Sequence, residues 1–249
     1  MEKRTTADFI YGTRAIIEAI EAGKEIDKLL LQRDLQNDLS QELLQVCHDY
    51  KIPFQRVPIE KLNRITRKNH QGAIAFITPI QFASLDNIIS NAYGQAVDPF
   101  LIILDRITDV RNFGAIARTA ECAGVHGIIV PSRGSAQIGA DAMKTSAGAL
   151  NHISVVRSMN LKDTIKELQQ NGIKVVACTE KAEGEIFEAD LTGPVALLMG
   201  SEEEGISGEY LKMSDIQAKL PMTGQIESLN VSVATGVFIY ETIRQRSKS

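Results

Sequence analysis

Apolar and polar positions along this chain follow two periods, and the switches between them predict its elements. Over residues 10–22, Ala15, Ile16, Ala19 and Ile20 recur at helical spacing, with Gly23 as a stop. A strand is expected at Lys28–Gln32, an amphipathic helix at Ser40–Tyr50 and a strand at Phe54–Val57. A helix at Ile59–Thr66 and a strand at Gly72–Thr78 complete a small α/β/α sandwich over residues 1–80. Between Pro79 and Pro99 the core character weakens. Leu85–Ala92 can still form a short helix before Gly94, and residues 81–99 read as a linker. Beyond it, strands are expected at Phe100–Asp105, Gly127–Val130, Ile153–Arg157, Lys174–Thr179, Val195–Met199 and Ile216–Leu220. Helices are expected near 114–123, within 140–150, at 161–171 and from Ser228-Leu229-Asn230 onward. Apolar strands alternating with helices predict an α/β domain with a mainly parallel sheet over residues 100–249.

Composition narrows the function classes. A chain of 249 residues with 44% hydrophobic positions can bury a proper core, as one large domain or two small ones. No run approaches the ~18 apolar residues of a membrane span, and the opening MEKRTTADF lacks an apolar signal core, so a cytosolic protein is expected. Cys47, Cys122 and Cys178 are far apart and read as buried reduced thiols; His48, His70, His126 and His152 lack ligand spacing, so no metal is expected. No GxGxxG follows a strand and no GxxxxGK[ST] occurs, which removes the usual dinucleotide and P-loop signatures. The net charge of −4 argues mildly against a nucleic-acid partner, but its distribution softens that. Residues 1–83 hold 12 Lys/Arg against 11 Asp/Glu, whereas the remainder holds 15 against 20. Within 51–70, Lys51, Arg56, Lys61, Arg64, Arg67 and Lys68 face only Glu60, a local patch able to meet phosphates.

Three segments share one design: a short apolar run ending in a polar or glycine-containing loop. They are LIILDRITDVRNFGAIARTA (101–120), VALLMGSEEEGI (195–206) and LPMTGQIESLNVSVATGVFIYE (220–241). In open α/β sheets, functional residues gather at such carboxyl ends of strands. In the last segment, Pro221 removes a backbone donor, Gly224 permits positive φ, and Ser228 and Asn230 suit a helix start.

In order, spacing and residue type, these three segments resemble the motifs of the SpoU/TrmH branch of the SPOUT methyltransferases, which methylate a ribose 2′-hydroxyl in RNA. The resemblance covers about Phe100 to the end, and the region from Ile10 resembles the substrate-binding domain of ribosomal members. It implies an L30e-like amino-terminal domain, a trefoil-knotted catalytic domain, S-adenosyl-L-methionine as cofactor, RNA as partner and a homodimer. Cofactor contacts are implied at Gly200, Leu220 and Leu229, with Met222 nearby. Arg118 falls on the essential arginine; because a guanidinium stays protonated, a phosphate or oxyanion contact is easier to accept than a base. Asn112 falls on the polar residue that supports that arginine and the ribose or phosphate, Glu202 on the glutamate that can fix the arginine or a neighbouring loop, and Ser228 and Asn230 on the third motif, which shapes the cofactor loop and ribose site. Two departures stand out: Val110 occupies a place where proline is frequent, and Glu203 one where glycine is common. Methylation of a guanosine in 23S rRNA, at the peptidyl-transferase P-loop, is the first expectation. Methylation of tRNA in its D-loop and a non-catalytic ribosome-assembly role are the alternatives.

Overall fold

The computed structural model describes residues 9–226 and 228–248. Its main bodies are two compact units, one ending at Gln81 and one running Phe82–Gln137 and from Asp141 onward.

The first unit is a four-stranded sheet in the order β1-β4-β2-β3, built from β1 (Phe9–Tyr11), β2 (Ile26–Gln32), β3 (Phe54–Val57) and β4 (Ala73–Ile77). One face is covered by α1 (Thr13–Glu21) and α2 (Asp38–Asp49), which bury Ile16, Ile17, Ile20 and Leu43 against Leu29, Leu31 and Ala75. The other face carries α3 (Ile59–Ile65), where Leu62 packs with Leu30, Val57 and Ile74. The α/β/α expectation is met, with an extra strand at the front. β1 occupies the start of the stretch expected to be helical, because Gly12 at φ 93° turns the chain between β1 and α1.

Six parallel strands form the second sheet, ordered β10-β8-β9-β5-β6-β7. They are β5 (Phe100–Leu104), β6 (Gly127–Pro131), β7 (Ser154–Ser158), β8 (Lys174–Cys178), β9 (Val195–Met199) and β10 (Ile216–Ala218). One face packs on α4 (Leu85–Gly94) and α7 (Leu161–Gln170), with Leu85, Ile88, Ile89, Ile165 and Leu168 against Leu101, Ile103, Val175 and Leu198. Thus the segment read as a linker carries a helix whose apolar stripe belongs to this core. The short helix α8 (Gly208–Met213), which the periodicity did not predict, has no buried residue to mark it. α5 (Val110–Cys122) and α9 (Val231–Arg246) pack on each other, and α6 (Ala140–Thr145) approaches α5. Among the described residues no helix is long and apolar enough to cross a membrane.

Register matters more than strand count. Leu104 pairs with Met199, Met199 with Cys178, and Cys178 with Ala218, so four strands end level. Everything the chain does after β5, β8, β9 and β10 therefore happens along one carboxyl edge.

Candidate active site

α5 begins earlier than its apolar periodicity suggests. Asp109 is its N-cap, with Oδ1 accepting from the backbone N–H of Arg111 (2.7 Å) and Asn112 (2.9 Å). Val110 is therefore the first helical residue, a position where proline would also fit, and the departure from the motif leaves the helix start intact. Gly114 lets α5 lie against Thr145 and Ser146 of the α6 segment, since a Cβ there would overlap Thr145 Oγ1. Asn112 is thereby held on the first turn, half-buried and facing the loop that follows β9.

That loop is a tight turn. Gly205 N–H donates to the Ser201 carbonyl at 2.9 Å, and a Cβ on Gly200 would overlap the Gly205 carbonyl carbon and the Ile206 nitrogen. Glu202 projects from the turn. Its Oε1 accepts from Asn112 Nδ2 (3.0 Å), Asn230 Nδ2 (2.6 Å) and the Val231 backbone N–H (3.3 Å). Asn230 Nδ2 also donates to Asn112 Oδ1 at 3.0 Å. One carboxylate thus joins all three motif segments and sits at the start of α9, where the helix dipole favours negative charge. Asn230, not Ser228, is the N-cap of α9, its Oδ1 accepting from Ser232 N–H at 3.0 Å.

Two clefts of about 600 Å³ open on either side of Glu202. The first is lined by Met199, Gly200, Ile206, Ser228, Leu229 and Ala234, with Glu180 at its wall. Its size is that of a small-molecule pocket, and an apolar floor with backbone turns and carboxylates suits a nucleoside carrying a positive sulfonium. The second is polar and is lined by Arg106, Thr108, Asp109, Asn112, Gly134 and Ser201. The structure therefore brings Asn112, Gly200, Glu202, Ser228, Leu229 and Asn230 together. Leu220, two residues beyond β10, and Met222, exposed in the turn after it, line neither cleft. Arg118 does not either: six residues along α5 from Asn112, about 9 Å up the axis and on a different face, it is exposed. Among the described residues no group of three or more His, Cys, Asp or Glu could hold a metal ion. Cys47 and Cys178 are buried, the Cys47 thiol pushed up to about 12 by that burial, whereas Cys122, expected to be buried, is exposed at the end of α5.

Arg106 was not legible as a site residue. It follows β5 at φ 60°, a left-handed conformation costing roughly 1–2 kcal/mol for a residue with a Cβ. Its guanidinium donates to the buried Asp105 (3.1 Å from Nε to Oδ1) and to the Gly205 carbonyl (3.2 Å), and pairs with Glu204. Asp105 in turn accepts from Ser207 N–H at 2.8 Å. The hydrogen bond to Asp105, ahead of the other contacts, pushes the Arg106 pKa up. The pair staples the end of β5 to the loop after β9, and it gives Glu204 a partner. Arg106→Gly is expected to relieve the backbone strain yet loosen the Glu202 turn. Cofactor titration should give roughly tenfold weaker binding, as befits a lost charge-assisted contact of about 1.5 kcal/mol; unchanged affinity would remove the staple from the site.

Residues 99–240 match the SpoU rRNA Methylase family, and residues 9–83 match the family described as RNA 2′-O ribose methyltransferase substrate binding. The TrmH-family protein YacO of Bacillus subtilis is 34% identical over 240 residues, 96% of either chain. The solved SpoU methyltransferase AviRb from Streptomyces viridochromogenes, in complex with the cofactor AdoMet, is 27% identical with a TM-score of 0.61, covering 97% of this chain and 91% of its own. An AdoMet-bound rRNA methyltransferase from Sinorhizobium meliloti is 25% identical with the same TM-score, over 96% of this chain and 87% of its own. The level strand ends, the carboxylate joining three motif loops and these matches over both units lead to one conclusion: the chain belongs to the SpoU/TrmH family of RNA methyltransferases.

Proposed function

We propose that this chain transfers the methyl group of S-adenosylmethionine to the ribose 2′-hydroxyl of a guanosine in the peptidyl-transferase P-loop of 23S rRNA. The observation that carries the reading is the set Asn112–Glu202–Asn230 at the meeting of a nucleoside-sized cleft of mixed apolar and acidic lining and a more polar one. The substrate-binding match over 9–83 and the full-length likeness to an rRNA enzyme support rRNA as the target.

Gly200, Ser228 and Leu229 would hold the cofactor, with Gly200 letting the backbone of Gly205 and Ile206 close tightly on the end of β9. Bound there, it supplies an electrophilic methyl carbon for in-line attack. Asn112 on the polar cleft and Asn230 on the cofactor cleft, fixed to each other through Glu202, orient the ribose where the two clefts meet, so that little entropy remains to be lost at the reacting step. Arg118 lowers the pKa of the attacking hydroxyl by meeting the developing oxyanion or an adjacent phosphate, and the proton leaves to solvent.

Because Arg118 faces away from its own chain's cluster, a homodimer is part of this reading. Val233, Val237 and Tyr240 are exposed at i, i+4 and i+7 on α9 beside Phe187, and Gly236 on that helix abuts Thr119, next to Arg118. A second copy packed there would bring each arginine toward its partner's site.

The test offers labelled cofactor with unmodified 23S rRNA and, separately, unmodified tRNA. Label in 23S rRNA alone is the expected result. Label in tRNA alone would keep the family chemistry and overturn the target.

A further inference from the structure

Among the described residues, the β1-β4-β2 face of the amino-terminal sheet is covered only in part. Phe9 pairs with Phe76, and Phe76 with Lys28; Tyr11 pairs with Ile74, and Ile74 with Leu30. These six side chains share one face in two rows, since cross-strand partners point the same way. Helix α3 seals the second row at Leu30 and Ile74. It has seven residues, about 10 Å of length, and leaves the row Phe9–Phe76–Lys28 half-exposed.

A water-facing half of such a sheet ordinarily carries polar residues. Here it carries rings. Phe9 lies 6.2 Å from both Tyr11 and Phe76, tilted by 52° and 58°. Two ammonium groups sit over them: Lys28 Nζ is 5.1 Å from the Phe76 centroid and Lys68 Nζ 5.7 Å from that of Tyr11. Lys61 and Arg64 on α3, and Arg67 just beyond it, are exposed beside this face. In a chain of net charge −4, cations gathered around half-exposed rings are a local exception.

Rings supply flat surfaces on which unpaired bases stack, and flanking cations track the backbone; the pairing selects single-stranded nucleic acid over duplex. We propose that this face binds a single-stranded segment of RNA, with bases stacked on Phe76 and Tyr11 and phosphates met by Lys28, Lys68, Arg64 and Arg67. The inference rests on the RNA-methyltransferase reading and deepens it by assigning where the amino-terminal unit holds its substrate. On binding, the two lysine ammonium groups exchange the ring faces for phosphate oxygens.

The chain has no tryptophan, so Phe76→Trp places a single indole on the face. The full-length variant is titrated with a single-stranded oligoribonucleotide and with a duplex of the same sequence. Quenching by the single strand and little by the duplex is expected. The surface variant Lys28→Gln/Lys68→Gln, which removes no core atom, should bind the single strand about tenfold more weakly, with the salt slope reduced by about 0.7 for each lysine. An unquenched indole, with the double variant binding RNA like the parent, overturns the platform. The titration reads binding alone: quenching without methyl transfer to any RNA would retain the platform and sink the catalytic reading. Methyl transfer without quenching would do the reverse.

Discussion

Gly200→Ala is expected to abolish measurable cofactor binding and to lower thermal stability by several degrees. The added methyl has no flexible neighbour to push aside, because what it meets is the backbone of Gly205 and Ile206. Overpacking of this kind costs about 1–3 kcal/mol, and here the strain falls on the turn that carries Glu202 and lines both clefts. In a chain of this size each kcal/mol moves the midpoint by about 2–4 °C. Calorimetric titration with S-adenosylmethionine and a melting curve on one preparation check both halves. Gly208→Ala is the control, since nothing lies within 4 Å of a Cβ there. Binding within threefold of the parent for Gly200→Ala would mean the turn shifts at no consequence, and the cleft would lose its assignment.

Glu202→Ala should affect catalysis far more than stability. The carboxylate is exposed, so the fold gains little from it. Yet its Oε1 holds two amides and the first N–H of α9, and without it Asn112 and Asn230 lose their common anchor. Misplacing orienting groups by about 1 Å can cost about 100-fold, and a fall of that size in kcat/KM is expected. Asn112→Ala and Asn230→Ala should cost similar factors, and the double variants little more than either alone, because the three act as a unit. Losses that multiply would show three independent contributions and dissolve the proposed cluster.

Much of this architecture was legible because burial leaves a mark on sequence. The strands at 54–57 and 195–199 lie where their apolar runs place them, and the runs end where the sheet ends. Elements without a buried stripe were not legible. α8 buries no residue fully, its Tyr210, Leu211 and Met213 only resting against the core, and β1 has three residues in front of a helix whose apolar period extends back over it. The start of α5 depends on the Asp109 cap, a side-chain bond that no hydrophobic pattern contains. At the site, motif order pointed to three loops at strand ends, and the level register of β5, β9, β8 and β10 makes them neighbours. Which atoms meet was beyond the motifs: Asn112 and Glu202 are 90 positions apart. Arg106 was invisible for a further reason, since its role arises from a left-handed backbone and a buried partner, both products of the tertiary fold.

The measurement that bears most directly on the central claim is the position of the transferred methyl within the nucleotide. Unmodified 23S rRNA is labelled from S-adenosylmethionine by the parent protein and then hydrolysed in alkali, which cleaves only beside a free 2′-hydroxyl. Label recovered in a single alkali-resistant dinucleotide beginning with guanosine is the predicted result. Label released as a mononucleotide methylated on its base would contradict the account.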